Sequence, residues 1–395
     1  MDTGTTAMKV LIIGAGVAGL ALGQMLRKQG IALEIFERDE GTRKQGWALG
    51  LDECLADLKR CLPADIDPLS NASTNYAAQK ADTYAIVHGG THEVLGLMAP
   101  QDGGLDFMSA DRNSLRQILS KHLNVQYGKR LKSVVQGEDG VTVHFADGTT
   151  AHGTVLVGAD GAHSAVRAYL LPGFKASSSR YAMLSANVTL AKEDFQPMLD
   201  RANTCVIVGW PDTKSYVMIM AYNDDGTATW HWAVAKRYED PATASTWGQN
   251  ASAEELYQEA LRQTEGFPEY FRTAVKLTGV EGIHLPPIKL IETVLPVDVL
   301  PDGTATLLGD AAHSMVPFRG HGANTALRDA CDLGAALAEV SRSGGDVRQA
   351  LREYERAMIP RGRSKVLESR ADGEGENFDL SGGRLDKLVD EGTVA

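Results

Sequence analysis

Residues 9–19 have the sequence KVLIIGAGVAG, and the predicted architecture follows from this stretch. The apolar, β-branched run Lys9–Ile13 is typical of a buried strand, and helix-forming residues follow over Val17–Gln29. Gly30 ends that helix, and Leu33–Phe36 is predicted to be a second strand. The sequence therefore predicts a βαβ unit that begins at residue 8.

The glycines of this stretch match the pattern GxGxxG between a strand and a helix. Gly14 permits the tight turn, Gly16 lets the backbone approach a pyrophosphate, and Gly19 lets the helix pack closely on the strand. Ala18 lies in the first helical turn, where free N–H groups and the helix dipole favour phosphate.

A carboxylate also lies at the position where a dinucleotide-binding site requires one. Glu37 lies at the end of the second predicted strand, 18 residues after Gly19, where it would accept hydrogen bonds from ribose hydroxyls. Arg38 is the next residue and is included in the predicted site. A solvated strand end is the alternative for Glu37, but its position after the strand, turn and helix favours a bound dinucleotide.

The composition narrows the possible partners and the compartment. The chain has 395 residues, 43% of them hydrophobic, a length that predicts two lobes rather than one core. A net charge of −12 argues against a nucleic-acid partner, because phosphate binding requires clustered Lys and Arg. The four cysteines form no CxxC pair, and neither a signal peptide nor an apolar span is found, so we expect a cytoplasmic protein that is not in a membrane. No sequence feature indicates a protein partner.

The two predicted lobes are interleaved along the chain, because the strand-rich middle differs in character from both ends. The first lobe, which would bind the dinucleotide, is predicted from residues 8–73, 101–172 and 286–371, the last including a C-terminal helix. The second lobe is predicted from residues 74–100 and 173–285. A disordered tail is predicted from residues 372–395, which are rich in glycine and acidic residues.

Two more motifs follow predicted strands. Leu156–Arg167 places Asp160-Gly161 between a buried strand and a helix, and Thr306–His313 places Gly309-Asp310 at another strand end. The glycine-rich segment Pro317–Asn324 comes next. With these motifs in this order after GxGxxG, the chain resembles the single-component FAD-dependent aromatic hydroxylases, the p-hydroxybenzoate hydroxylase-like monooxygenases. The resemblance extends over roughly residues 8–370 and is weakest in the middle lobe.

This resemblance implies a fold class and a set of cofactors. The fold would be α/β, with a Rossmann-like FAD-binding lobe and an inserted antiparallel β-sheet lobe for the substrate. The bound cofactor would be FAD, and the co-substrates would be O₂ and either NADPH or NADH. No metal ion is expected, because His88 and His92 flank a glycine pair that favours a hairpin turn over a metal-binding helix.

The resemblance also assigns roles to residues outside the glycine turn. Asp310 would bind the flavin ribityl chain, although a helix N-cap is the alternative. Asp160, Gly161 and Arg167 would contact FAD and hold the nicotinamide, although Arg167 could instead be an ion-pair partner of Asp160. Arg112 would reach the pyrophosphate, the alternative being a solvated helix arginine.

The glycine-rich segment would face the flavin ring from the N-terminus of a long helix. The free N–H groups of Gly322 and Ala323 would stabilise negative charge on reduced flavin. The family usually has Gln where this chain has His321, which is either a proton donor or a tolerated substitution. The catalytic residues expected in this flavin-facing segment are Pro317, Gly320, His321 and Gly322, and the expected cofactor-binding residues also include Gly309, Gly322, Ala323 and Asn324.

The middle lobe would cover the flavin and shape the substrate pocket. Three β-rich runs separated by turn signals predict an antiparallel meander. Tyr216, Met218, Met220 and Tyr222 share one face of a strand, and Trp230 and Trp232 share a face of the next. Such faces suit a pocket for an apolar substrate, and they suit an ordinary core equally well.

These features predict an FAD-dependent monooxygenase that acts through a flavin C4a-hydroperoxide on a small aromatic or polyketide-like substrate. The sequence leaves open whether the product is hydroxylated, epoxidised or formed by Baeyer–Villiger insertion. A flavin-dependent reductase or halogenase on the same scaffold is one alternative. A non-catalytic flavin-binding redox sensor is another, which the intact flavin-facing segment disfavours.

Overall fold

The protein is described here by a computed structural model, which covers residues 7–41, 47–75, 81–99, 107–137, 139–210 and 212–374. Its strands are β1 Lys9–Ile13, β2 Ala32–Phe36, β3 Ala48–Leu51, β4 Tyr84–His88, β5 Val94–Met98, β6 Met108–Asp111, β7 Val125–Gln126, β8 Leu131–Gly137, β9 Gly140–Phe145, β10 Thr150–Gly153, β11 Val155–Gly158, β12 Ser177–Leu190, β13 Cys205–Trp210, β14 Thr213–Tyr222, β15 Ala228–Arg237, β16 Ile288–Glu292 and β17 Ala305–Leu307. Its helices are α1 Val17–Lys28, α2 Leu55–Cys61, α3 Arg112–Ser120, α4 Ala165–Leu170, α5 Lys192–Leu199, α6 Pro241–Thr246, α7 Ala253–Gln263, α8 Glu269–Thr278, α9 Asp310–His313, α10 His321–Ser343 and α11 Val347–Glu374.

The first lobe is built on a parallel sheet with the strand order β17-β11-β1-β2-β7. Its central strands are apolar because they are covered on both faces, which is typical of parallel sheets. Helix α1 packs against α3 and α10, and α10 packs against α11. Two small antiparallel sheets, β3-β6 and β10-β9-β8, complete the lobe.

The second lobe is built on a sheet with the order β16-β12-β15-β14-β13-β4-β5. All neighbours in it are antiparallel except β4 and β13, which are parallel. Helices α5, α7 and α8 cover one face of this sheet. The other face packs against Val316 and Phe318, which precede α10 in the first lobe. The chain therefore has the predicted fold class, a Rossmann-like lobe with an inserted, largely antiparallel sheet.

Two predicted segment boundaries are wrong. The middle lobe was expected to end at residue 285, but β16 at Ile288–Glu292 pairs with β12 and so belongs to the second sheet. The tail was expected from residue 372, but α11 continues to Glu374. Asp372 pairs with Arg319, and the Tyr181 hydroxyl donates to the carbonyl oxygen of Gly373, which explains why the helix persists. Residues 375–395 lie outside the described ranges.

None of the helices in the described ranges combines the length and the apolar composition needed to cross a membrane.

Candidate functional site

The glycine turn joins β1 to α1 and leaves open space beside its backbone. Gly14 has φ +110, and a Cβ atom there would lie 2.3 Å from the carbonyl oxygen of Ala159. The N–H of Gly14 donates to the carbonyl of Phe36 at 2.7 Å, which fixes the turn against β2. A Cβ atom on Gly16 would meet no atom within 4 Å, and no side chain caps α1 at this residue. No side chain therefore competes with a phosphate for the N–H groups of the first turn, and phosphate binding there stays a prediction.

Glu37 lies over this turn. One carboxylate oxygen accepts a hydrogen bond from the N–H of Ala15 at 2.9 Å, and the other accepts one from Asp39 at 3.1 Å. These bonds hold the carboxylate at the end of β2 while leaving lone pairs for ribose hydroxyls. Arg38 is exposed beside it.

Helix α3 brings two arginines to the same region. Its first residue, Arg112, places its guanidinium over the ring of Trp47, 5.2 Å from the centroid. One turn later, Nε of Arg116 donates to the carbonyl of Ala15 at 3.1 Å. Arg116 was not among the residues predicted from the sequence. Its spacing of four residues from Arg112, on the same helix face, was the signal that could have found it.

Asp160 and Arg167 both make hydrogen bonds within the protein, and their contact with FAD and the nicotinamide stays a prediction. The Asp160 carboxylate accepts hydrogen bonds from Ser164 Oγ at 2.5 Å and from the N–H of Ala165 at 2.6 Å, so it caps α4. Arg167 is 6% exposed and donates to the carbonyls of Ala162 and Ala311 at 2.6 and 2.8 Å.

Gly161 is the part of this motif that remains open. It has φ +80, and no atom lies within 4 Å of a Cβ built on it.

Gly309 and Asp310 form a second turn with a carboxylate at the start of α9. Gly309 has φ +58, and a Cβ atom there would lie 2.9 Å from the side chain of Ala326. Asp310 is exposed, so its carboxylate can accept hydrogen bonds from the hydroxyls of a polyol. A Cβ atom on Gly309 would also lie 3.8 Å from the Cβ of Ala18 on α1, so the two glycine turns are neighbours.

A buried ionic network, which was not predicted from the sequence, supports this second turn. Asp329 accepts from the N–H of Gly309 at 3.0 Å, from His313 Nε2 at 2.5 Å and from Arg361 at 2.8 Å. Burial would raise the pKa of Asp329, but His313 and Arg361 more than offset this and hold the pKa below its ordinary value. Burial would likewise lower the pKa of His313, but Asp329 raises it above its ordinary value.

The flavin-facing segment is a 3₁₀ turn at Pro317–Arg319, followed by Gly320 and by α10. No side chain caps α10, and a Cβ atom on Gly322 would have its nearest neighbour 3.9 Å away. The N–H groups of Gly322 and Ala323 lie in the first turn of this helix, at the positive end of its dipole. They can therefore stabilise a negative charge, as expected.

The side chain of Asn324 holds this segment in place, and its contact with the cofactor stays a prediction. Its amide nitrogen donates to the carbonyls of Gly50 and Gly320 at 2.8 and 3.1 Å. Its amide oxygen accepts from the N–H of Asp52 at 3.0 Å. Asn324 thus clamps the start of α10 to β3.

His321 is partly buried at the first position of α10. Burial, reinforced by the charge of Lys365, lowers its pKa below the ordinary value, so the imidazole is neutral at pH 7. Its Nε2 lies 3.6 Å from a carboxylate oxygen of Glu368 on α11.

The two faces of the second sheet separate the predicted pocket residues. Tyr216 and Met218 face the first lobe, because Tyr216 belongs to the cluster that contains Val316. Trp230 and Trp232 are 0% exposed and pack under helices α5, α7 and α8 on the opposite face. The prediction that these tryptophans line the substrate pocket is therefore wrong.

A β-bulge in β14 changes which of its residues share a face. The register shifts between Ile219 and Ala221, at Met220. As a result Tyr222 packs on the helix-covered face, against Phe195, and does not continue the face of Tyr216.

In the described ranges, no group of three or more His, Cys, Asp or Glu side chains could hold a metal ion.

Comparisons with known sequences identify one domain along most of the chain. The profile of the FAD binding domain matches residues 7–266 and 296–369. The FAD-dependent monooxygenase thnD of Trichoderma harzianum is 32% identical over 382 residues, which cover 92% of this chain and 92% of that protein. The FAD-dependent monooxygenase phnB of Penicillium herquei is 30% identical over 378 residues, which cover 90% of this chain and 88% of that protein.

Solved structures show the same architecture. A Photorhabdus luminescens protein described as an FAD-containing monooxygenase superposes with a TM-score of 0.73 at 26% identity, over 95% of this chain and 100% of that one. HpxO of Klebsiella pneumoniae, solved with FAD and uric acid, superposes with a TM-score of 0.72 at 23% identity. That match covers 97% of this chain and 91% of HpxO, and it supports the fold alone.

Proposed function

Because the chain belongs to the FAD-dependent monooxygenases that carry this FAD binding domain, we propose that it hydroxylates a small aromatic or polyketide-like compound with NADPH or NADH and O₂. In this reaction the nicotinamide supplies one electron pair. One oxygen atom of O₂ enters the substrate and the other leaves as water. Membership of the family confirms the predicted resemblance, FAD as cofactor and oxidoreductase activity.

The observation that carries the proposal is the contact between the two lobes. Val316 and Phe318, at the flavin-facing segment, belong to one apolar cluster with Ala233 and Ala235 of the second sheet. The ring of Tyr181 on β12 meets that of Phe318 edge-on, with the centroids 4.7 Å apart. A flavin at the N-terminus of α10 would therefore lie below a sheet face that excludes water from its reacting edge.

The residues of the first lobe fit FAD. The open turn at Gly16 and the arginines of α3 would hold the pyrophosphate, and Glu37 would hold the ribose. Asp310 would hold the ribityl chain, and the start of α10 would stabilise negative charge on the flavin. When bound and reduced, FAD supplies the activation of O₂, while these residues bind and orient it.

The proposal is tested with purified protein in air. The protein should be yellow, and one compound of an aromatic and polyketide panel should accelerate NADPH or NADH oxidation. Mass spectrometry should then find a product heavier by one oxygen atom, which carries the label when isotopic O₂ is used. Nicotinamide oxidation that produces only hydrogen peroxide with every compound, or a chlorinated or saturated product, would contradict the proposal.

A cytoplasmic location is proposed as well. It is supported by the four cysteines, all of which are free thiols, as expected in a reducing compartment.

A further inference from the structure

Two hydrogen bonds fix how helix α2 packs against helix α10 in the first lobe. The thiol of Cys54, which immediately precedes α2, donates to Oδ1 of Asn324 in the first turn of α10 at 3.2 Å. One turn further along both helices, a carboxylate oxygen of Asp57 accepts from Arg328 at 3.0 Å. Because the residue numbers rise together from the first pair to the second, the two helices run in the same direction.

This register brings two cysteines together at the end of α2. Cys61 follows Cys54 by seven residues, and Cys331 follows Asn324 by the same number. Seven residues make about two helical turns, so each cysteine lies on the same helix face as the earlier residue. The thiols of Cys61 and Cys331 are therefore neighbours, although the two residues are 270 positions apart in the sequence.

The two thiols differ in their access to solvent. Cys61 is partly exposed at the last position of α2, whereas Cys331 is buried. Burial raises the pKa of the Cys331 thiol above its ordinary value, and the neighbouring Cys61 thiol raises it further. An oxidant that arrives from solvent therefore reaches Cys61 first, and the buried thiol of Cys331 is then the nearest nucleophile.

The other two cysteines are less suited to oxidation. Cys54 is buried, its thiol is hydrogen-bonded to Asn324, and burial raises its pKa to about 12. Cys205 is buried in the second lobe, where burial also raises its pKa. Cys61 is thus the cysteine that combines partial exposure with a neighbouring thiol.

We propose that Cys61 and Cys331 are a modification site, at which hydrogen peroxide forms a disulfide that joins α2 to α10. Peroxide first transfers one oxygen atom to the sulfur of Cys61, which gives a sulfenic acid and one water molecule. The sulfur of Cys331 then attacks that of Cys61, and the S–S bond forms as the S–O bond breaks. The leaving hydroxide takes the thiol proton of Cys331 and becomes a second water. The two thiols together lose the two electrons that the peroxide gains.

The disulfide would act on the helix that carries the flavin-facing segment. It would tie α10 to α2 about two turns beyond the contact between Cys54 and Asn324. Because it closes a long loop, it would also reduce the conformational entropy of the unfolded chain and so stabilise the first lobe. The inference is independent of the proposed function, because peroxide from any source would form the bond.

The test adds hydrogen peroxide to the reduced, FAD-loaded protein without nicotinamide, so that no turnover occurs. The number of thiols titrated after denaturation should fall from four to two, and dithiothreitol should restore all four. Peptide mass mapping without reductant should find the peptides of Cys61 and Cys331 joined. Four remaining thiols, or a disulfide that contains Cys54 or Cys205, would overturn the inference.

Three substitutions test the order of the two steps. Cys331→Ala removes the second thiol, so oxidation should stop at a sulfenic acid on Cys61, which dimedone traps. Cys61→Ser should keep its three remaining thiols. Cys205→Ala is the matched control in the second lobe and should form the same disulfide as wild type. Dimedone labelling of another cysteine in Cys331→Ala, or a disulfide in Cys61→Ser, would contradict the proposed steps. If a variant does not fold, the mapping of the wild-type protein still decides.

Thermal unfolding without reductant tests whether the disulfide fits the native packing of the two helices. Peroxide-treated wild type should unfold about 5 °C above the reduced protein, and the same treatment should not raise the unfolding temperature of Cys61→Ser. An equal or lower unfolding temperature in the oxidised wild type would mean that the helices must separate to form the bond, which would overturn the inference. A disulfide that forms in a protein without oxygenase activity would refute the proposed function and leave this inference intact.

Discussion

The two lobes build their halves of the site in different ways. In the first lobe the backbone forms the site, because Gly14 and Gly309 allow turns that a side chain would block, and Gly16 leaves open space. In the second lobe side chains would form the site, because a regular sheet presents Tyr216 and Met218 on one face only. The first kind of site tolerates almost no change in its glycines, whereas the second can change its side chains while the sheet persists.

The largest effect is expected where the backbone forms the site. Gly14→Ala places a methyl group 2.3 Å from a carbonyl oxygen at a φ of +110, so the strand and the turn must separate. We expect a loss of stability on the order of 3–5 kcal/mol and a colourless protein. Chemical unfolding and flavin absorbance measure the two effects.

Gly16→Ala is the matched control for this prediction. Its φ of −73 suits alanine, and the added methyl group meets no atom within 4 Å. The protein without FAD should therefore lose no more than about 1 kcal/mol, the difference between glycine and alanine at a helix N-cap. FAD affinity should still fall more than tenfold, because the methyl group occupies the space of the pyrophosphate. Equal FAD affinity in Gly16→Ala and wild type would show that the pyrophosphate does not lie there.

This contrast also explains what the sequence could reveal. The glycine pattern at Gly14, Gly16 and Gly19 predicts the βαβ unit and its ligand, because few residues other than glycine fit such a turn. The same holds for Gly309-Asp310. Period-two alternation, by contrast, shows that a strand has two faces but does not show which one is covered by helices.

The predictions from the sequence that were wrong or incomplete failed for physical reasons. Trp230 and Trp232 were placed in the pocket because alternation assigned them a shared face without saying what covers it. Tyr222 lies on the opposite face from the one predicted because of a β-bulge at Met220, and no residue type in β14 indicates a bulge. The link from Asp329 to Gly309 and Arg361 joins residues distant in the sequence, so no local pattern could predict it.

A second substitution pair tests the assignment of the two faces. Trp230→Ala removes a fully buried ring from the helix-covered core and should cost about 3–5 kcal/mol of stability. Tyr216→Ala, on the face toward the first lobe, should cost about 1–2 kcal/mol, because that side chain is only partly buried. The relative affinities for different aromatic ligands should change more in Tyr216→Ala than in Trp230→Ala. A larger loss of stability in Tyr216→Ala would mean that the faces are assigned the wrong way round.

A smaller effect is expected from the charge behind the second glycine turn. The folded-state pKa of His313 is raised, so its charge stabilises the protein fully below about pH 6.5, and the contribution is lost as the pH rises through the folded-state pKa. His313→Gln keeps a donor for Asp329 but has no charge. We expect wild type to exceed this variant by about 1–3 kcal/mol near pH 6 and by less near pH 9. Urea unfolding at several pH values measures the difference, and a difference that grows with pH would contradict the assigned charge.

The smallest loss of stability is expected at the junction of the lobes, where the flavin-facing segment of the first lobe contacts the second sheet. Arg319 of the flavin-facing segment donates from its Nε and from a terminal nitrogen, the latter at 2.9 Å, to the carboxylate of Asp372 on α11. Asp372→Asn keeps the shape but removes the charge, and should cost about 1 kcal/mol with the flavin content unchanged. Because a looser segment admits water above the flavin, about twice as much of the oxidised nicotinamide should end as hydrogen peroxide.

The matched control is Asp302→Asn, which removes the partner of Arg352 in a more exposed ion pair on another part of the first lobe. It should leave peroxide formation at the wild-type level. An equal rise in both variants would be a general consequence of lost stability. No rise in Asp372→Asn would show that the packing of Phe318 against the sheet, rather than the ion pair, holds the segment. In that case the second lobe would position the flavin-facing backbone as well as the substrate. At the junction, the site would then depend on side chains of the second lobe as well as on the backbone of the first.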